Sequence, residues 1–340
     1  MIRIIDIAKH TGLSRITVSG VLNGRYTKMG ISEATAERVR RGASELGYVR
    51  NEVSLAMKTG KSTTIGCIIT SLGLEWGGKT LEGALSAVGK TDYSIRLSSG
   101  LDFKDEHEVL HDFLAGRVAG IFFCNVNPSF NTTRQIHTRL ASYGIPFVSN
   151  NCSPNFSQHE VEADNPGATA MAVKHLADLG HQRIAFIGGD DTFVAQQRLN
   201  GFISSMQENG LPIHPGYLQT GDWQVEPTIQ ATRYLLRKLK KAPTAIVSAN
   251  HFMAAATLRT ASQLGYNVPR DLSVVGITDE TLCQITDPPM TTVCIAEREI
   301  GRLCMEMLIG MINDSSKCDK PVLKIVPTSL KVRESTAPPK

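Results

Sequence analysis

His107 and His111 stand four residues apart in KDEHEVLHDFL. That spacing puts two imidazoles on one face of a helix, where they can share a metal ion. The stretch is otherwise amphipathic, and both rings are expected in solvent. His175 and His181, in KHLADLGHQR, are expected to cap and pack rather than to bind metal. IAFIGGDD lacks the GxGxxG spacing, and the sequence holds no P-loop. No reactive constellation is visible, so no catalytic residue, metal ligand or cofactor is assigned. The chemistry that remains is recognition, and SRITVSGVLNG, residues 14–24, carries it most clearly. At 100° per residue, Val18, Val21 and Leu22 share one helical face. Ile16 and Gly20 fall opposite, beside Ser19 and Asn23. An outward isoleucine, and a helical glycine costing about 1 kcal/mol against alanine, suit a face that meets something other than water.

Three short helices must position that face. The first lies near Ile4–His10 and stops at Thr11-Gly12, where glycine can take a left-handed turn. Ser14 is a good N-cap for the second, which runs to about Leu22. Ser32 caps a third, in which Ala36, Val39, Ala43 and Leu46 keep helical spacing before Gly47. A helix, a short glycine-containing turn and a second helix make a helix-turn-helix, whose second helix lies in the DNA major groove. Ile16 then offers an apolar surface to a thymine methyl group. Gly20 lets backbone approach closely. Arg15 reaches guanine or phosphate, and Ser14, Thr17, Ser19 and Asn23 suit phosphate oxygens.

Charge agrees with this. Residues 1–61 hold 11 Lys/Arg against 5 Asp/Glu, a balance of +6, while residues 62–340 hold 25 against 27. A compact basic front on a near-neutral body points to nucleic-acid contact by the front. Apolar residues make up 41% of the 340, an ordinary globular share. No apolar run approaches the roughly 20 residues that span a bilayer. Seven scattered cysteines and an N-terminus without signal-peptide layout suggest reduced thiols in a cytoplasmic protein. From Thr64 the pattern changes. TIGCIIT, AGIFFC, RIAFIGG, TAIVSA and LSVVGIT read as buried parallel strands. Between them lie helical stretches near 104–114, 167–179, 198–209, 228–239 and 250–264. Such alternation implies an α/β body of two parallel sheets covered on both faces.

IIDIAKHTGLSRITVSGVLNG followed by ISEATAERVRRGASELGYVRN resembles the N-terminal domain of the lactose-repressor (LacI/GalR) family of bacterial transcription regulators. VEADNPGATAMAVKHLADLGHQRIAFIGG and SANHFMAAATLRTASQLGYNVPRDLSVVGITD carry the resemblance through the body. It implies an all-α helix-turn-helix domain (1–49), a hinge helix and linker (50–61) and a type I periplasmic-binding-protein-like effector domain (62–340). Lobe one would use about 62–162 and 293–324, and lobe two about 163–292 and 325–334. It implies a repressor that binds a palindromic or near-palindromic operator as a homodimer, controlled by a small polar effector between the lobes, a sugar or sugar derivative. Asn51 matches a phosphate contact, and Met57 matches a residue that wedges into the minor groove. The family usually carries Arg or His where Gly20 stands, and Thr or Ser where Arg3 stands. The loop GRYTKMGI is longer than usual, so that Arg25, Tyr26 and Lys28 in it can add backbone contacts. The tail STAPPK has no heptad repeat to hold a tetramer.

Ligands of such sheets bind beyond the carboxyl ends of strands. That rule marks Ser71, Trp76, Asn150, Asn151, Arg198, Trp223, Asn250 and Thr278. All but Ser71 and Asn150 match effector contacts of the family. Sugar-binding members mostly have aspartates where Asn151 and Thr278 stand, and often one where His251 stands. Their absence around Arg198 favours an anionic effector, such as a sugar acid or sugar phosphate, although Asp190, Asp191 and Asp279 lie near the expected cleft. A solute-binding receptor or an α/β sugar- or nucleoside-processing enzyme would use the same cleft. The basic front argues against the first, and the missing reactive constellation against the second.

Overall fold

A computed structural model of the chain describes residues 2–49, 62–70, 72–99, 106–126, 130–152 and 156–340. They form two compact units, residues 1–62 and 63–340. The expected hinge, with Asn51 and Met57, lies outside the described residues, as do Ser71 and the His107 side chain.

The first unit is α1 (Ile4–Thr11), α2 (Arg15–Leu22) and α3 (Glu33–Glu45). Ile7, Val18, Ala36 and Val39 are fully buried where the three meet. Gly12 takes φ 65° and returns its N–H to the Ala8 carbonyl, ending α1. Arg38 donates to the Thr11 carbonyl, so α3 also satisfies the open end of α1. With Arg3 in place of a hydroxyl cap, the start of α1 is held from the other side. The Asp6 carboxylate accepts the Arg3 N–H at 2.8 Å.

The second unit holds two six-stranded sheets. The first joins β1 (Thr64–Ile69), β2 (Ser94–Ser99), β3 (Gly120–Cys124), β4 (Phe147–Asn150), β5 (His159–Ala163) and β11 (Val322–Val326), ordered β11-β5-β4-β3-β1-β2. All five of its pairings are parallel. The second joins β6 (Ile184–Gly188), β7 (Leu218–Thr220), β8 (Ala245–Ser248), β9 (Ser273–Ile277), β10 (Thr291–Cys294) and β12 (Ser329–Lys331). Its order is β12-β10-β9-β8-β6-β7, and only the edge strand β12 runs antiparallel. The central strands β3, β6, β8 and β9 are buried along their whole length. That explains why they read as unbroken apolar runs.

The chain passes between the sheets after β5, after β10 and after β11. Two crossings fall about two residues later than the resemblance implied. Val293 and Cys294 complete β10 in the second sheet, and Ile325 and Val326 complete β11 in the first. In each case the ladder keeps pairing to the end of the strand, which delays the crossing.

The helix Glu297–Asn313 then packs on the first sheet beside the helix Glu75–Val88. Their backbones nearly touch. A Cβ on Gly83 would lie 1.9 Å from the Arg298 carbonyl oxygen, and one on Gly301 would lie 1.9 Å from the Thr80 carbonyl oxygen. Neither obstacle is a side chain that can rotate away. Gly78, in the same first helix, has open space around it. Gly301→Ala should therefore destabilise by about 1–3 kcal/mol, the usual cost of overpacking. Gly78→Ala should stabilise by up to about 1 kcal/mol through helix propensity. Urea unfolding of both variants checks this, and equal shifts of the same sign would contradict the close approach.

Candidate functional site

On the first unit, Ser14 caps α2. Its Oγ accepts the Thr17 N–H at 3.0 Å and lies 2.8 Å from Thr17 Oγ1. Arg15 and Ile16 project from the first turn, and Ile16 is 71% exposed. Thr17, Ser19 and Asn23 are half-buried. Asn23 Nδ2 donates to the Ser19 carbonyl at 2.6 Å and to Ser19 Oγ at 3.1 Å, so this pair also braces the helix end.

Gly20 departs from expectation. It is buried, not exposed. The loop after α2 folds back over it, with Arg25 N–H bonded to the Gly20 carbonyl at 2.8 Å. A Cβ on Gly20 would lie 2.5 Å from Met29 Sδ and 3.4 Å from Ile31 Cδ1. The longer loop supplies that cover. Tyr26 departs as well. It packs against the helical core, with the Arg40 guanidinium 5.2 Å from its ring centre and Arg40 paired to Glu33 at 2.8 Å. Of the three loop residues singled out, Arg25 and Lys28 remain exposed.

In the second unit, a cavity of about 420 Å³ lies between the carboxyl ends of the two sheets. Trp76, Asn150, Asn151, Arg198, Trp223, Asn250 and Thr278 all line it. Asn125, Asn151, Trp223 and Thr278 hold positive φ, at 56°, 50°, 60° and 75°. Such conformations cost of order 1–3 kcal/mol each. For β-branched Thr278 this is a genuine outlier. The bends at the strand ends put these residues on the cavity wall. Asn150 differs in role, since its Nδ2 donates to the Val161 carbonyl at 2.7 Å and ties β4 to β5. Asn250 caps the helix His251–Gln263, accepting the Met253 N–H at 2.7 Å.

Arg198 is buried and its hydrogen-bond partners are neutral. Nε donates to Asn165 Oδ1 at 3.0 Å, and Nη1 donates to the Ala249 carbonyl. Its guanidinium lies 5.7 Å from the Trp223 ring centre. Burial pulls its pKa down to about 10. Trp223 Nε1 donates to Asp190 Oδ1 at 2.8 Å. Burial works to raise the Asp190 pKa, but bonds from Thr192 and Trp223 together hold it below its usual value.

Sequence reasoning missed Glu297, which also lines the cavity. Burial raises its carboxyl to about 7, against the pull of the Lys79 and Arg198 charges. It sits at a helix start with no motif around it. Nearby, Lys79 Nζ reaches across from the first lobe to Glu280 Oε2 and to the Asp279 carbonyl, each at 3.0 Å. Glu75 Oε2 accepts the Thr281 N–H at 3.1 Å. Burial and the neighbouring Glu75 raise Glu280 to about 8, so it keeps a proton to share with Glu75. Asp279 is already neutralised, 2.6 Å from Lys331 and 2.7 Å from Arg333. Burial lowers the His251 imidazole to about 4, leaving it neutral. Among the described residues, no cluster of three or more His, Cys, Asp or Glu can hold a metal ion.

The lacI family of bacterial regulatory proteins matches residues 3–51, and a periplasmic binding protein-like domain matches residues 173–336. Catabolite control protein A of Priestia megaterium is 29% identical over 339 residues, which cover 98% of this chain and 99% of that protein. The lac repressor dimer bound to operator and the anti-inducer ONPF aligns with a TM-score of 0.84 at 26% identity, over 99% of both chains. The chain belongs to the LacI family. The transcriptional regulator CelR in complex with cellobiose aligns with a TM-score of 0.71 at 28% identity, over 98% of this chain and 100% of that one. This LacI-family transcriptional regulator thus pairs a helix-turn-helix unit with a two-sheet α/β body. No described helix is long and apolar enough to cross a membrane.

The Glu297 shift has a consequence for stability. A glutamate at 4.5 in the unfolded chain and about 7 in the fold binds a proton on folding between those values. Its contribution is therefore present below about 4.5 and is lost as pH rises through about 7. Glu297→Gln should flatten the stability profile in that window. Chemical denaturation at a series of pH values checks it, and parallel curves for the two proteins would place the Glu297 pKa near its usual value.

Proposed function

We propose that this regulator is a repressor that binds a palindromic operator as a dimer, from the cytoplasm, and responds to a small polyhydroxylated effector held between its lobes. The observation that carries the effector reading is the make-up of the cavity wall. Arg198 offers charged donors, Asp190 and Glu297 offer acids, and Trp76 and Trp223 offer flat apolar faces. Sugar rings match that set, since hydroxyls give and accept hydrogen bonds while their C–H faces stack on indole.

The acids absent at Asn151, Thr278 and His251 suggested an anionic effector. Asp190 weakens that idea, because its bonds from Thr192 and Trp223 keep it ionised on the cavity wall. Asn151 Oδ1 is a buried acceptor that lacks a partner among the described residues, and Glu297 Oε1 is buried without one and can accept or donate according to its proton. Such atoms favour a hydroxyl-rich ligand that both gives and takes hydrogen bonds, because an unmet buried polar group costs about 1–3 kcal/mol. The CelR complex with cellobiose is a parallel within the family.

The test is calorimetry on matched pairs, each a neutral sugar and its acid or phosphate. The neutral member should bind more tightly in each pair. Arg198→Ala should weaken it by about 1.5–3 kcal/mol, the range for hydrogen bonds to charged groups. Preference for the charged members would reverse the reading. For DNA, affinity for a selected operator should fall steeply with salt, log K falling by about 0.9 per neutralised phosphate for each unit of log salt. Salt-independent binding, or none, would remove the repressor assignment.

A further inference from the structure

Gly20 and Met29 together carry an inference about which bases are read. Met29 lies in the loop that covers α2, and its sulfur lies where a residue-20 side chain would begin. Its Cε would be 3.1 Å from such a Cβ. The loop backbone fixes this placement. The Met29 N–H bonds to the Arg25 carbonyl at 3.0 Å and to the Tyr26 carbonyl at 3.2 Å, and Ile31 N–H returns to the Tyr26 carbonyl at 2.9 Å. Yet Met29 is 44% exposed. Ile16, one helical turn before Gly20, is the most exposed large apolar residue of α2, at 71%. Arg15 and Lys28 adjoin them in sequence, the Arg25 carbonyl accepts the Met29 N–H, and all three cations are exposed. An apolar pair framed by cations suits a surface that is negative at its rims and carries methyl groups in its floor, as the DNA major groove does at thymines.

We infer that Met29 is a specificity-determining residue, standing where α2 itself offers no side chain and reading a thymine methyl group beside the one read by Ile16. This rests on the DNA-binding reading above. Gly20 is then an accommodation rather than a lost contact, because any side chain there would push Met29 aside.

The experiment uses the full chain and a duplex selected by the wild-type protein from a random pool. Each thymine is replaced in turn by deoxyuridine, which lacks only the methyl group. Wild type should lose about fourfold in affinity at the thymines read by the apolar pair, the worth of one buried methyl. Met29→Ala should erase the penalty at one of these positions and keep the one set by Ile16. Gly20→Ala should erase the same penalty, since its new Cβ collides with the mobile end of Met29 and makes an ordinary contact with Ile31. Met29→Leu should retain it. Helical circular dichroism and an unchanged salt slope show that the unit still folds and docks. If either alanine variant folds and keeps every wild-type penalty, or if wild type shows no uracil penalty, the inference is overturned. DNA binding by none of the proteins would instead overturn the regulator reading on which it rests.

Discussion

The backbone contact between the helices Glu75–Val88 and Glu297–Asn313 is the constraint on which the effector body depends. Two glycines, Gly83 and Gly301, let each helix rest on a carbonyl of the other. The approach seats the start of the later helix, Arg298–Gly301, against the middle of the earlier one, Thr80–Ala84. Trp76 and Thr80 from one, and Glu297 and Ile300 from the other, thereby reach the same cavity wall. Lys79, on the same first helix, spans to Glu280 and Asp279 in the opposite lobe. The cavity and the polar clasp at its edge both hang on that one line of contact.

Within the cavity, burial governs the charges. Arg198 has lost its water and gained amide and carbonyl oxygens in exchange, which keeps it charged without a tight counter-ion. Glu297 and Glu280 are held near neutrality because a second full charge in so dry a place would be costly. Asp279, by contrast, is occupied by Lys331 and Arg333 and takes no part in the wall. Nearness along the sequence to a cleft residue therefore says little about which acids a ligand meets.

Much of this was legible in the sequence. The helix-turn-helix followed from its N-caps and helical spacing, and five central strands followed from apolar runs that cannot alternate when both faces are covered. The edge strands β2, β7 and β11 were not legible, because a half-solvated strand of three to six residues has no run to recognise. The strand-end rule placed seven described residues on one cavity, but it gave Asn150 no hint of its bond across the sheet. Gly20 was read as open because helical periodicity assigns faces from one helix alone, and the cover came from a loop nine residues on. Glu297 was invisible for a similar reason. Its meaning depends on a neighbour, Arg198, that is distant in sequence and close only after both lobes have formed.

The order of the strands also sets the order in which the protein becomes usable during synthesis. The three described helices of the first unit end by residue 45 and share a core drawn from residues 2–48. The body closes later. β11 must pair with β5, β12 with β10, and the helix Glu297–Asn313 must cover the first sheet before either lobe is whole. At about 5–20 residues per second, the ribosome needs on the order of 15–55 s to pass from the end of one to the end of the other. For that interval the nascent chain carries a packed helical head ahead of an unfinished body. The head is packed before any cleft exists, and the cleft is the last feature the chain completes.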